Sequence, residues 1–128
     1  MSPRKRSRRV LLALPAIGFA ALILAVSSRP GTDLPSTGVA QGDKGLHVLE
    51  YFVFGVLLFL PCRGLRWQVC VPVLAAGIAF AALDESFQTF IPGRSGDPAD
   101  FAMDVVGLLA ALAVGWAVQL ARPSARIS

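Results

Sequence analysis

Three short stretches of the chain hold most of the side chains able to do chemistry. They are Asp43-Lys44-x-x-His47-x-x-Glu50-Tyr51, Asp84-Glu85-x-x-Gln88, and Arg94-x-x-Asp97-x-x-Asp100-x-x-x-Asp104. Seven of the eight acidic residues and the one histidine fall within them, so the polar chemistry is gathered rather than scattered. Spacings of three and four place Asp43, His47, Glu50 and Tyr51 on one helical face. Asp84 and Gln88 share a second face. Asp100 and Asp104 share a third, with Asp97 one turn before them if that helix starts early.

Such a set admits three chemistries. Seven carboxylates face only Lys44, Arg94 and His47 as cations, and carboxylates buried together must hold protons or recruit a cation. A divalent metal is therefore one reading, with His47, Asp84, Asp100 and Asp104 as candidate ligands. His47 and Glu50 form a reversed version of the Glu-x-x-His pair found in helix-bundle metal sites. One histidine without a nearby cysteine speaks against structural zinc, and oxygen-rich donors suit Mg²⁺, Ca²⁺ or Mn²⁺. The second reading is an anion site. Arg94 forks onto phosphate or carboxylate, Lys44 adds a point charge, and His47 serves as general acid or base oriented by Asp43 or Glu50. The third is a structural network in which Lys44 and Arg94 pair with carboxylates while Gln88 and Tyr51 satisfy others. No serine- or cysteine-centred nucleophile is evident. Ser86 reads as a helix-surface hydroxyl and Ser95 as a turn residue.

The elements that must position these residues are set by composition. The chain has 128 residues, 55% hydrophobic and only 16% charged, with a mean hydropathy of +0.64. That is too little charge to cover a soluble domain, too much apolar content for disorder, and two cysteines are too few for a disulfide scaffold. Apolar segments run over about residues 10–26, 46–60, 67–83 (with helix continuing toward 90) and 101–120. Seventeen to twenty helical residues span about 25–30 Å, enough for a bilayer core. The expected fold is an all-α, four-helix transmembrane bundle. Residues 1–9 form a basic flank, 10–121 the membrane domain, and 122–128 a tail.

Basic residues orient the bundle. The termini and second loop hold nine of them, including Arg4, Lys5, Arg6, Arg8, Arg9, Arg63 and Arg66. The other two loops hold Arg29, Lys44 and Arg94. Basic short loops stay in the cytoplasm, so both termini are expected inside, in a multi-pass protein of the cytoplasmic membrane. The net charge of +4 then reflects cytoplasmic flanks and not nucleic-acid binding. Cys62 and Cys70 would be reduced thiols at the cytoplasmic end. The first segment also has features of a cleavable signal peptide, but its length favours an uncleaved helix. All three polar stretches fall at the outer membrane face and must turn toward each other, because lipid does not tolerate them. Small residues on the third and fourth segments, with Gly55 and Gly107, would permit close helix approach. A polar layer at one end only is a poor path for transport.

These stretches resemble the VanZ-like family, whose name-giving member confers teicoplanin resistance. The matching residues are Asp43-Lys44-x-x-His47-x-x-Glu50-Tyr51-x-x-x-Gly55, Asp84-Glu85-x-x-Gln88-x-x-x-Pro92-Gly93-Arg94 and Asp97-x-x-Asp100-x-x-x-Asp104-x-x-Gly107. Asp104 stands where several members carry Asn, and many differ at Glu50. The resemblance implies an integral membrane protein with a link to glycopeptide resistance and supplies no reaction. The leading expectation is a protein that meets a membrane lipid or lipid-linked cell-wall precursor at its outer face. A metal-assisted enzyme acting on a phosphorylated lipid and an accessory subunit of an envelope complex are the alternatives.

Overall fold

A computed structural model describes residues 3–31 and 44–121. Four α-helices follow in order: α1 (Pro3–Ser27), α2 (Lys44–Phe59), α3 (Trp67–Gln88) and α4 (Pro98–Leu120). A single 3-10 turn, Leu60–Cys62, extends α2. With that turn included for α2, all four helices are long and apolar enough to cross a membrane. The chain is thus an all-α, multi-pass membrane protein.

The helix boundaries have local causes. α1 runs back to Pro3, so the basic stretch from Arg4 to Arg9 is helical. Nothing between these residues breaks a helix, and proline is tolerated in its first turn. The tail 122–128 lies outside the described residues. Gly64, at φ +74°, provides the left-handed step of the tight α2–α3 turn. α3 continues through the polar stretch to Gln88. α4 starts three residues before its apolar run because Asp97 caps it, its Oδ1 accepting the Ala99 N–H at 2.8 Å, with Pro98 following.

The helices alternate in direction. One end of the bundle gathers the C-termini of α1 and α3 with the N-termini of α2 and α4. The opposite end joins Arg9, which donates to the Pro61 carbonyl, and Gln119, whose Oε1 accepts the Gly64 N–H at 3.0 Å. Ile23, Tyr51, Phe54, Ala81 and Leu108 fill the core between them. The most extensive packing is α2 on α4. A Cβ added at Gly107 would lie 2.5 Å from the Val48 carbonyl oxygen and 2.8 Å from the Phe52 nitrogen. A Cβ at Gly55 would lie 2.7 Å from that of Ala111. The close approach is therefore made by α2 with α4, and not through the alanines of α3. Ala75, Ala76, Ala79 and Ala82 are exposed on the outside of the bundle. On α3, Gly77 is buried against Leu58 and Leu108, and Ala81 lies in the core. Large apolar side chains such as Leu11, Leu22, Leu49, Leu83 and Leu109 face outward, as lipid contact requires.

Candidate functional site

The close contact at Gly107 fixes the phase of α2 against α4, and that phase pairs their polar faces turn by turn. In the first turn Lys44 Nζ lies 3.2 Å from Asp100 Oδ1 and 3.4 Å from Asp97 Oδ2. One turn deeper, His47 Nε2 lies 3.5 Å from Asp100 Oδ2 and Nδ1 lies 2.9 Å from Asp104 Oδ1. Asp104 is fully buried, and His47 reaches it from the half-buried rim. One turn deeper again, the buried Tyr51 hydroxyl donates to Asp84 Oδ2 at 3.3 Å, so α3 joins the same layer.

α3 presents two carboxylates in succession. Asp84 also receives Gln88 Nε2 at 3.4 Å, and the same amide nitrogen lies 3.4 Å from Ser27 Oγ of α1. Glu85 turns the other way around the helix, and its Oε2 accepts the Asp97 N–H at 2.9 Å. Asp84, Glu85, Gln88 and Asp104 are all buried. Even so, Asp84 Oδ1, Glu85 Oε1 and Asp104 Oδ2 have no hydrogen-bond partner among the described residues. Buried carboxylate oxygens left bare are costly, about 1–3 kcal/mol each or more when charged. Glu50 is half-buried nearby, within electrostatic range of His47, Asp84, Asp104 and Arg94. Asp97 lies just outside the membrane-spanning part of α4. The Ala99 N–H, with the Lys44 ammonium adding to it, holds its carboxyl below the usual aspartate range.

Several residues differ from what spacing suggests. Asp43 lies outside the described residues. Arg94 donates to the Val26 carbonyl at 3.2 Å, closing the C-terminus of α1, where helix carbonyls lack partners of their own. Of the four candidate metal ligands, His47, Asp100 and Asp104 meet, while Asp84 is drawn toward Tyr51 and Gln88. Glu85 takes the nearer position: His47, Glu85 and Asp100 each offer a ligand atom, all within 4.8 Å of one another. Ser86 bonds back to the Ala82 carbonyl at 2.7 Å, as a helix-surface hydroxyl does. Ser27, just past the first apolar segment, joins the buried layer as well. A serine closing the apolar run of α1 is the one signal that points to it.

The family model described as VanZ/LLP1 matches residues 5–119, nearly the whole chain. The chain belongs to the VanZ/LLP1 family. No curated protein and no solved structure matches it. In this VanZ/LLP1 chain the matched region includes every described member of the polar layer, so the layer lies inside the family's common domain. Chemically, the layer offers an imidazole held by one carboxylate and facing a second, an ammonium at the rim, and bare buried oxygens.

Proposed function

We propose that this VanZ/LLP1 protein sits in the cytoplasmic membrane with both termini inside and its polar end outward. There it engages the head group of a lipid-linked cell-wall precursor or related envelope lipid and contributes to glycopeptide resistance. The observation that carries this reading is the layer around His47. Side chains from α2, α3 and α4 converge at one end of the bundle, the end that would meet lipid head groups if the helices span the bilayer, while the rest of these three helices is largely apolar. Intramembrane ionisable residues at such a place mark a ligand path more often than a structural accident. Lys44 at the rim supplies a cation for a phosphate head group, with the His47 imidazole behind it. The basic flanks support the orientation.

The test is teicoplanin susceptibility of cells expressing wild type or His47→Ala at equal membrane abundance, with mass spectrometry of co-purified lipids. A resistance gain lost in His47→Ala, together with loss of a bound phospholipid or polyprenyl lipid, is the expected outcome. Equal susceptibility and equal lipid content in both would refute the reading. A metal-assisted enzyme acting on a phosphorylated lipid is the second reading, favoured by the grouping of His47, Glu85 and Asp100.

A further inference from the structure

We propose that His47, Glu85 and Asp100 bind one first-row divalent cation, of the Mn²⁺ or Zn²⁺ type, and that Asp104 is the positioning residue that sets the histidine for it. The inference concerns the same site as the envelope reading but stands on its own geometry.

The histidine comes first. Asp104, fully buried, lies 2.9 Å from Nδ1. An ionised carboxylate there accepts the Nδ1 proton, so the bare lone pair is on Nε2. Ligating histidines are commonly held this way, their second nitrogen donating to a carboxylate. Nε2 faces Asp100 Oδ2 at 3.5 Å. That separation is long for a charge-assisted hydrogen bond, which runs to about 2.7–2.9 Å. It is the separation of two atoms bound to one ion, since metal–ligand distances of about 2.0–2.2 Å place neighbouring ligands roughly 3–4 Å apart.

Glu85 supplies the independent observation. It is 7% exposed, its Oε1 has no partner among the described residues, and it offers an oxygen within 4.8 Å of the other two ligand atoms. The carboxylate is aimed by its other oxygen, which takes the Asp97 N–H. Glu85 would have little reason to leave an oxygen bare in a buried layer unless a cation met it there. Charge agrees. Lys44 compensates the outer oxygen of Asp100, while Glu85, Asp104 and the nearby Glu50 keep an excess of negative charge that a divalent ion balances. One imidazole with two carboxylates suits Mn²⁺ or Zn²⁺ better than Ca²⁺, and leaves coordination positions open for water or a phosphate oxygen.

The experiment uses the full chain in detergent micelles, with Mn²⁺ as probe. Equilibrium dialysis is expected to give roughly one ion per chain, and pulsed paramagnetic resonance a nitrogen coupling from one imidazole. Asp104→Asn should weaken the affinity by roughly 10–100-fold while keeping that nitrogen coupling, and Ser86→Ala should change neither. His47→Gln should abolish the coupling. Absence of a nitrogen coupling in wild type at saturating Mn²⁺ overturns the site without any variant having to fold. So does binding that His47→Gln leaves unchanged, because acids alone would then hold the ion. Metal bound normally in a protein that confers no resistance would leave the site standing and remove only the envelope reading.

Discussion

The two ends of this bundle are built from the same four helices and solve opposite problems. At the end where α2 and α4 begin, short acidic side chains meet His47, Lys44, Tyr51 and Gln88 in a layer joined by hydrogen bonds that leaves three buried carboxylate oxygens bare. At the other end, Val56, Phe59, Cys70, Ala111 and Trp116 line an apolar cavity of about 300 Å³. Its few polar contacts, such as Gln119 of α4 with the Gly64 backbone, tie a helix to a turn rather than one helix face to another. The first end is specified by partners that fit only each other. The second is held by shape, lipid-compatible surface and turn geometry. Substitutions should therefore be felt far more sharply at the first.

The largest contrast is expected between Asp104→Ala and Gln119→Ala. Removing Asp104 takes away the buried carboxylate that holds the His47 ring N–H, and a hydrogen bond to a charged group is worth about 1.5–3 kcal/mol. Removing the Gln119 amide forfeits one exposed hydrogen bond, about 0.5–1 kcal/mol. Unfolding of purified protein in mixed micelles measures both. Equal losses would dissolve the comparison.

Gly107→Ala and Gly115→Ala form the next pair, on one helix. The three atoms nearest the added methyl at 107 are all α2 backbone: the Val48 oxygen, the Phe52 nitrogen and the Tyr51 carbonyl carbon. None of these can rotate away, so the helices must separate, at about 1–3 kcal/mol. The added methyl at 115 meets nothing within 4 Å, and the change should lie within about 0.5 kcal/mol of wild type. Separation at 107 also lengthens His47–Asp104, so Gly107→Ala should weaken cation binding while Gly115→Ala leaves it alone. Tyr51→Phe ranks below these: it removes one donor from Asp84 and leaves Gln88, for a loss of about 1 kcal/mol.

Much of this was legible in the sequence, for reasons that differ by residue. Four spans follow from apolar length. That His47 meets Asp84 or Asp104 follows from polar faces at one depth and an interior too small to keep them apart, and the fold selects Asp104. The choice between Asp84 and Glu85 did not follow. The two side chains point about 100° apart on α3, and only the packing phase against α2 decides which faces His47. The α2–α4 glycine contact was hidden in the same way, since Ala75 and Gly107 look equally small until the helices are paired. Arg94 sat beside several acids in sequence and yet caps α1, a neighbour brought near only by the fold. Ser27 has no partner within its own segment that would have drawn notice.

The smallest expected effect lies at Asp97, where the polar layer meets water. This side chain does two things: it accepts the Ala99 N–H at the start of α4, and it faces Lys44. Asparagine caps a helix as well as aspartate does, so Asp97→Asn keeps the first role and loses the second, while Asp97→Ala loses both. The Lys44 pair is exposed, and such pairs are weak, so Asn should stay close to wild type at pH 7 and Ala should fall below it. Acid separates the two roles further. The folded value of Asp97 is below the ordinary 3.8, so its charge stabilises the fold above that value, and the contribution disappears as pH falls through the lower, folded value. Other carboxylates titrate in the same range. The informative quantity is therefore the difference between wild type and Asp97→Asn in thermal midpoint, followed from neutral pH downward. It should favour wild type slightly at neutral pH and shrink toward zero in acid. A difference that grows as pH falls would mean that the charge at Asp97 opposes the fold, and that the cap hydrogen bond alone explains why α4 begins there.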